Sequence, residues 1–103
     1  MPKVAIVVEF RIKPGMERDF EAHIREHASK TLEEEAGCER FDVLQALRED
    51  GSPETGRMMV YEIYASHDAV AAHRANPRMK VVGPRGAAMM ESRTLTMYEI
   101  AAT

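Results

Sequence analysis

The sequence predicts an α+β domain built on a four-stranded antiparallel sheet. Four segments alternate apolar and polar side chains with the period of a strand, and two longer segments repeat apolar residues with the period of a helix. They follow one another in the order strand, helix, strand, strand, helix, strand. This order is the split βαβ arrangement of a ferredoxin-like domain, in which helices cover one face of the sheet. With 103 residues, the chain is expected to form a single domain, residues 1–103.

The first strand and helix are predicted from a change of period. Val4 to Ile12 carry apolar residues at every second position, and Pro14-Gly15 ends this run. From Met16 to Glu35 the apolar residues return at helical spacing, and Gly37 ends the helix. The expected inner stripe of this helix consists of Phe20, Ile24, His27, Ala28, Thr31 and Leu32.

A hairpin is predicted next. Its strands are the alternating runs Cys38 to Leu47 and Arg57 to Ala65, and the polar segment Glu49 to Gly56, which contains Asp50-Gly51, is the expected turn.

The last part of the chain predicts helical segments and a fourth strand. Ser66 is a suitable N-cap for a helix from His67 to Ala75, which Asn76-Pro77 ends. A shorter helical piece is expected from Arg78 to Glu91, interrupted at Gly83-Pro84 and Gly86. The run from Ser92 to Ile100 alternates again and predicts the last strand.

Composition argues against several classes of function. The net charge is −3 and basic residues alternate with acidic ones, so no nucleic-acid partner is expected. No apolar run approaches the roughly 20 residues of a membrane span, and the N-terminal residues lack a secretory-leader pattern. A single cysteine, Cys38, forms no intramolecular disulfide. We therefore expect a cytoplasmic protein with no membrane association.

The second face of the predicted sheet also carries apolar residues. On the first strand, Ala5 and Val7 lie on the face opposite Val8 and its neighbours, and on the second strand Leu44 and Ala46 lie opposite Phe41, Val43 and Leu47. An exposed apolar sheet face is normally covered by a partner. The simplest cover is a second copy of the same sheet, so the sequence predicts a homodimer.

Four polar residues stand where the pattern would place apolar ones: His27, Asp42, Glu62 and His73. A buried charge is costly unless it is paired or hydrogen-bonded, so these residues are expected to converge on one cavity. Such a cluster in an apolar pocket is the first place to look for a binding or catalytic site. Each residue alone is more simply explained as a satisfied core or surface residue.

No metal is expected at this site. His23 and His27 have a spacing that can bind zinc, but the adjacent glutamate of an H-E-x-x-H motif is absent, since residue 24 is Ile24. The fragment Gly83-Pro84-Arg85-Gly86 does not follow a strand, as a phosphate loop would.

Four segments resemble the antibiotic biosynthesis monooxygenase family, with particular similarity to bacterial quinol monooxygenase-like proteins and to the autoinducer-2-phosphate processing protein. They are Gly37-Cys38-Glu39-Arg40-Phe41-Asp42-Val43-Leu44-Gln45, Val60-Tyr61-Glu62-Ile63-Tyr64, Asp68-Ala69-Val70-Ala71-Ala72-His73 and Asn76-Pro77-Arg78-Met79-Lys80.

The resemblance implies a fold, a chemistry and site residues. The fold is a dimeric α+β barrel, with a pocket between sheet and helices in each subunit. The chemistry is oxidation of quinol-like or enolisable compounds by O₂ with no metal, flavin or other cofactor. Glu62 and His73 match the family's Glu-x-aromatic and Ala-x-His positions, His27 and Asp42 match positions of the autoinducer-processing branch, and Tyr64 stands where oxygenases tend to carry Trp.

Three hypotheses of function follow. In the first, a cofactor-independent monooxygenase uses Glu62 or His73 as its base, assisted by His27, while Arg40, Asp42, Tyr64 and Phe41 bind the substrate. In the second, an isomerase or tautomerase of a small carbonyl or phosphorylated compound uses the same acid–base pair without O₂. In the third, the domain binds a small molecule without turnover.

Overall fold

The computed structural model describes residues 2–103. The elements are β1 (Val4–Ile12), α1 (Glu17–Glu34), β2 (Cys38–Leu47), β3 (Pro53–Tyr64), α2 (His67–Ala75), α3 (Met79–Ala87) and β4 (Met90–Glu99). The strands form one sheet in the order β2-β3-β1-β4, and every neighbouring pair is antiparallel. The ferredoxin-like α+β prediction is confirmed.

Alternation along β1 determines where the core lies. Val4, Ile6, Val8, Phe10 and Ile12 face the helices and are buried, whereas Glu9 and Arg11 on the other side are exposed. We call the helix-covered side of the sheet the inner face and the other side the outer face. Helix α1 packs on the inner face through Phe20, Ile24 and Ala28. Leu32, predicted on this stripe, is instead 46% exposed, because the buried stripe continues through Thr31 and Leu32 lies to one side of it.

Helix α2 has the predicted bounds. The Ser66 side chain accepts a hydrogen bond from the backbone N–H of Ala69 and so satisfies one of the free donors of the first turn. The helix ends at Ala75, before Asn76-Pro77.

Helix α3 is continuous, and the predicted interruption at Gly83-Pro84 and Gly86 is wrong. Pro84 lies inside the helix. A proline ring normally clashes with the Cβ of the preceding residue in the α conformation, and Gly83 has no Cβ. The glycine that looked like a helix breaker therefore relieves the strain that the proline would introduce.

Strand β3 begins at Pro53, four residues before the predicted start at Arg57. The cause is Gln45, which lies beside an irregularity in the pairing of β2 with β3. Its side-chain amide donates to the backbone carbonyls of Ala46, Glu54 and Arg57. These bonds connect the end of β2 to Glu54 and Arg57 of β3, so the strand continues through a segment whose composition suggests a turn.

Strand β4 is an edge strand. It begins at Met90, two residues before the predicted start at Ser92. Within residues 2–103 it pairs with β1 alone, and most of its residues are exposed. No helix of this part of the chain covers the outer face of the sheet, where Leu44 and Tyr98 are exposed at 38% and 56%. Among residues 2–103, no helix combines the length and apolar character that crossing a membrane requires.

Candidate active site

A cavity of about 470 Å³ lies between the inner face of the sheet and the three helices. This volume falls in the range of small-molecule sites. Its walls are mainly apolar, with Phe20, Phe41, Val60 and Met90 among them, and three buried polar residues, His27, Glu62 and His73, also line it. The space around Glu62 is therefore open rather than packed shut.

Glu62 projects from β3 between two fully buried neighbours on the inner face, Val60 and Tyr64. Its side chain is 5% exposed, and its Oε1 atom accepts a hydrogen bond of 2.6 Å from the Tyr64 hydroxyl. Burial raises the pKa of Glu62 to about 7; the Tyr64 hydrogen bond opposes this rise, and the negative charge of Glu35 adds to it. A carboxyl group with this pKa can both take up and release a proton at neutral pH.

His73 is held by a carboxylate. It lies in the last turn of α2 and is buried beside the inner face. Its Nδ1 atom lies 2.9 Å from Oε1 of Glu35, and the side-chain amide of Asn76 donates to Oε2 of the same carboxylate at 3.1 Å. The imidazole ring also packs against Tyr64, with ring centroids 5.2 Å apart. These contacts fix the plane of the ring at the cavity wall.

His27 is held by a guanidinium. It lies on the buried side of α1, and its Nδ1 atom is 2.8 Å from Nη1 of Arg78. Burial, followed by the neighbouring His73, Arg78 and His23, lowers the pKa of His27 to about 3, so the ring is neutral at physiological pH. The edge of Phe41 meets the ring at 5.3 Å between centroids.

The structure brings Glu62, His27 and His73 together at one cavity. Asp42, which was expected to converge with them, and Arg40, which was expected to bind substrate, lie elsewhere. In the pairing of β2 with β3, Phe41 lies opposite Glu62, and Asp42 lies opposite Tyr61. Successive side chains of a strand point to opposite faces, so Asp42 lies on the outer face. There its carboxylate accepts a hydrogen bond of 2.7 Å from Nε of Arg40, and neither residue lines the cavity.

Tyr64 and Phe41 take different places. Phe41 lines the cavity. Tyr64 is fully buried beside Glu62 and is not part of the cavity lining, so the prediction that it binds substrate is not supported. Its hydroxyl donates to Glu62 instead, which makes it a partner of the carboxyl group rather than of a ligand.

Sequence reasoning missed Glu35, Asn76 and Arg78, whose side chains support the two histidines. Glu35 follows two other glutamates, and their run does not reveal which one is buried. Its side chain is only 12% exposed, whereas that of Glu34 is 46% exposed. Asn76 and Arg78 come after α2, and their partners lie about 40 to 50 positions away in the chain. Only the packing of the α2–α3 connection against α1 brings them together.

Within residues 2–103, no three His, Cys, Asp or Glu side chains lie close enough together to hold a metal ion. The free thiol of Cys38 is buried, and burial raises its pKa to about 11, which suits a core residue rather than a nucleophile.

Several solved structures share the fold. A candidate antibiotic biosynthesis monooxygenase from Caulobacter crescentus is 22% identical, with a TM-score of 0.86 over 98% of this chain and 92% of that one. A comparable protein from Nitrosomonas europaea is 24% identical, with a TM-score of 0.81 over 94% and 88% of the two chains. SnoaB, a cofactor-independent oxygenase from Streptomyces nogalater solved as a point mutant, is 16% identical, with a TM-score of 0.81 over 100% and 97%.

At these identities the structural likenesses establish the fold alone. No curated protein sequence matches the chain significantly. The sequence model of the family called antibiotic biosynthesis monooxygenase matches residues 3–83, which is most of the chain. The chain therefore belongs to the antibiotic biosynthesis monooxygenase family.

Proposed function

We propose that the protein is a cofactor-independent monooxygenase that oxidises a small quinol-like or enolisable compound with O₂. The observation that carries the proposal is the Glu62 carboxyl group, which lies in the wall of a mainly apolar cavity with a pKa of about 7. Membership of a family that includes cofactor-independent oxygenases supports the same chemistry.

In the proposed reaction, Glu62 removes a proton from an activated CH₂ group, which an enolisable ketone carries directly and a quinol carries in its keto tautomer. The resulting carbanion gives its electrons to O₂, a C–O bond forms, and the peroxide takes the proton back from Glu62. Loss of water then breaks the O–O bond and leaves a carbonyl group, so that one oxygen atom enters the product and the other leaves as water. The apolar walls favour the first step, because they keep competing water away from the carbanion. His27 is proposed to stabilise the developing negative charge on the substrate oxygen, and His73 to accept a hydrogen bond from another group of the substrate.

Oxygen uptake tests the proposal. A Clark electrode with menadiol or an enolisable aromatic ketone should record O₂ consumption above the buffer rate. Glu62→Gln should lower this rate about 100-fold or more, the usual effect of losing a general base. Glu33→Gln is the matched control, because Glu33 is an exposed carboxylate of α1 that does not line the cavity. Substrate loss without O₂ consumption in the wild-type protein would rule the oxygenase proposal out.

An isomerase or tautomerase is the second candidate function. The pair of imidazoles favours it, since the rings of His27 and His73 lie 5.6 Å apart beside Glu62 and could move a proton between two positions of one substrate. This activity would proceed at the same rate in anaerobic buffer, whereas the oxygenase would stop.

We also propose that residues 1–103 form one domain and that it works as a homodimer. One sheet and one continuous core support the single domain. The helix-free outer face, with Leu44 and Tyr98 exposed, supports the dimer. A cytoplasmic location is proposed as well, since the free thiol of Cys38 suits a reducing compartment.

A further inference from the structure

Arg78 connects the start of α3 to one face of α1. Its guanidinium lies 2.8 Å from Nδ1 of His27, 3.2 Å from Oγ1 of Thr31, 3.3 Å from Oε1 of Glu34 and 3.5 Å from Oε2 of Glu35. The side chain is only 17% exposed. A guanidinium has donors and no acceptor. Nδ1 of His27 must therefore accept the hydrogen bond, and the proton of the neutral ring must lie on Nε2.

Glu35 fixes the other histidine in the opposite way. A carboxylate only accepts hydrogen bonds, so Nδ1 of His73 must be the donor in the 2.9 Å contact with Oε1. The Asn76 amide and the Arg78 guanidinium hold the other oxygen of Glu35 from different sides. The proton of a neutral His73 ring therefore lies on Nδ1, and Nε2 carries a lone pair.

Nε2 is the nitrogen of each ring that the protein leaves for a ligand. Neither atom has a hydrogen-bond partner among residues 2–103, and no fully buried side-chain nitrogen or oxygen of this part of the chain lacks one. Both atoms must therefore be accessible. In each ring Nε2 lies across from Nδ1, and both histidines line the cavity beside Glu62.

We propose that Arg78 and Glu35 are positioning residues that hold His27 and His73 in opposite tautomers, so that the cavity offers a fixed donor and a fixed acceptor beside Glu62. This arrangement selects a ligand that carries both an acceptor oxygen, such as a carbonyl, and a hydroxyl donor. The selection of substrate rests on the proposed function, but the tautomers do not. A ligand with acceptors only would leave Nε2 of His73 without a partner, which costs affinity.

Long-range ¹H–¹⁵N correlation spectra of the histidine rings test the tautomers in the whole, ligand-free protein. His27→Gln and His73→Gln assign the two signals. The expected result is a proton on Nε2 in His27 and on Nδ1 in His73. The same tautomer in both rings, or rapid exchange between tautomers in either, would overturn the proposal. This measurement needs no variant of Arg78 or Glu35 and no turnover.

Variants separate positioning from mere packing. Arg78→Met should release the fixed tautomer of His27 and raise its pKa, because Arg78 is one of the charges that lower it. Arg78→Lys keeps a positive charge and a hydrogen-bond donor, so in this variant His27 should keep its proton on Nε2. Glu35→Gln should alter the His73 spectrum, and Glu34→Gln is its matched control, since Glu34 accepts from Arg78 but is hydrogen-bonded to neither histidine. Folded Arg78→Met protein with an unchanged His27 spectrum would contradict the role of Arg78.

A pair of probes tests the selected ligand. Calorimetry should find that 4-hydroxyacetophenone, which has a hydroxyl and a carbonyl, binds about 10-fold more tightly than 4-methoxyacetophenone, which has acceptors only. The preference should shrink in Glu35→Gln and persist in Glu34→Gln. Equal binding of the two probes would refute the selection of substrate. Opposite tautomers in a protein that consumes no O₂ would refute the proposed oxygenase function and leave this inference standing.

Discussion

The hydroxyl of Tyr64 donates to one oxygen of Glu62 and stabilises the ionised carboxylate. In Tyr64→Phe this bond is lost, and the pKa of Glu62 should rise above its value of about 7 by about one unit. A smaller fraction of the carboxyl group is then ionised at neutral pH. The acidic limb of the kcat/KM profile should move to higher pH by the same amount.

Tyr61→Phe is the matched control for this shift. Tyr61 neighbours Glu62 in the chain but lies on the outer face, opposite Asp42. Its removal should leave the profile in place. A profile that does not move in Tyr64→Phe would mean that another group titrates in the observed range.

Buried Glu62 should also make stability depend on pH. Its pKa is raised from 4.5 to about 7 on folding, so the folded state holds a proton that the unfolded state has lost between these pH values. This contribution stabilises the fold below pH 4.5 and is lost as pH rises through 7, an effect of about 3 kcal/mol. Relative to wild type, Glu62→Gln should be more stable at pH 8 than at pH 5 by most of this amount, as urea unfolding measures.

Because the variant is compared with wild type at each pH, the contributions of the histidines and of the other carboxylates to the free energy of unfolding cancel. The contribution of His27 has the opposite sign. Its pKa is lowered on folding, so the fold loses stability as pH falls below 6.5. A difference between Glu62→Gln and wild type that is the same at both pH values would show that folding does not raise the pKa of Glu62.

At the level of single residues, the sequence predicted the three buried polar residues that line the cavity. It did not predict the side chains that hold the two histidines. Glu62, His27 and His73 could be found because each interrupts an apolar pattern. Asp42 was misplaced because alternation defines two faces of a strand, and only the register with β3 decides which of them coincides with the face of Glu62. Glu35 and Arg78 depend on tertiary contacts that no local pattern records.

At the level of elements, α2 packs closely against the α1–β2 connection, and this packing leaves no room for a side chain at Gly37. A Cβ on Gly37 would lie 2.6 Å from the Cβ of Ala69. Gly37→Ala should therefore push α2 away and destabilise the fold by about 1–3 kcal/mol, measured by urea unfolding. It should also weaken the contact of His73 with Glu35, because α2 carries that histidine.

A double mutant distinguishes this clash from a general intolerance of Gly37 to substitution. Ala69→Gly alone costs some helix stability but removes the opposing Cβ. The double variant Gly37→Ala, Ala69→Gly should be more stable than the sum of the two single effects predicts. Simple additivity would show that the backbone of Gly37, and not its contact with Ala69, resists the change.

The bounds of the elements could be predicted where a local signal acts alone, as at Ser66 for α2 and across β1 and β2. The predicted bounds are wrong where a second residue cancels the local signal. Gly83 makes Pro84 tolerable inside α3, and Gln45 supplies the hydrogen bonds that let β3 run through a turn-like segment. In both cases the structure depends on a second residue, and the propensity of a single residue carries no information about it.

At the level of the whole molecule, the outer face of the sheet should join two copies of the chain. Val7 lies near the middle of this face on a central strand, paired with Tyr61 on one side and Thr96 on the other. Analytical ultracentrifugation of the wild type should give twice the 11.6 kDa chain mass, and Val7→Lys should give a monomer, because it buries a charge in the proposed interface. Val81→Lys, at an exposed position of α3, is the control and should remain dimeric. A dimeric Val7→Lys protein would place the interface elsewhere.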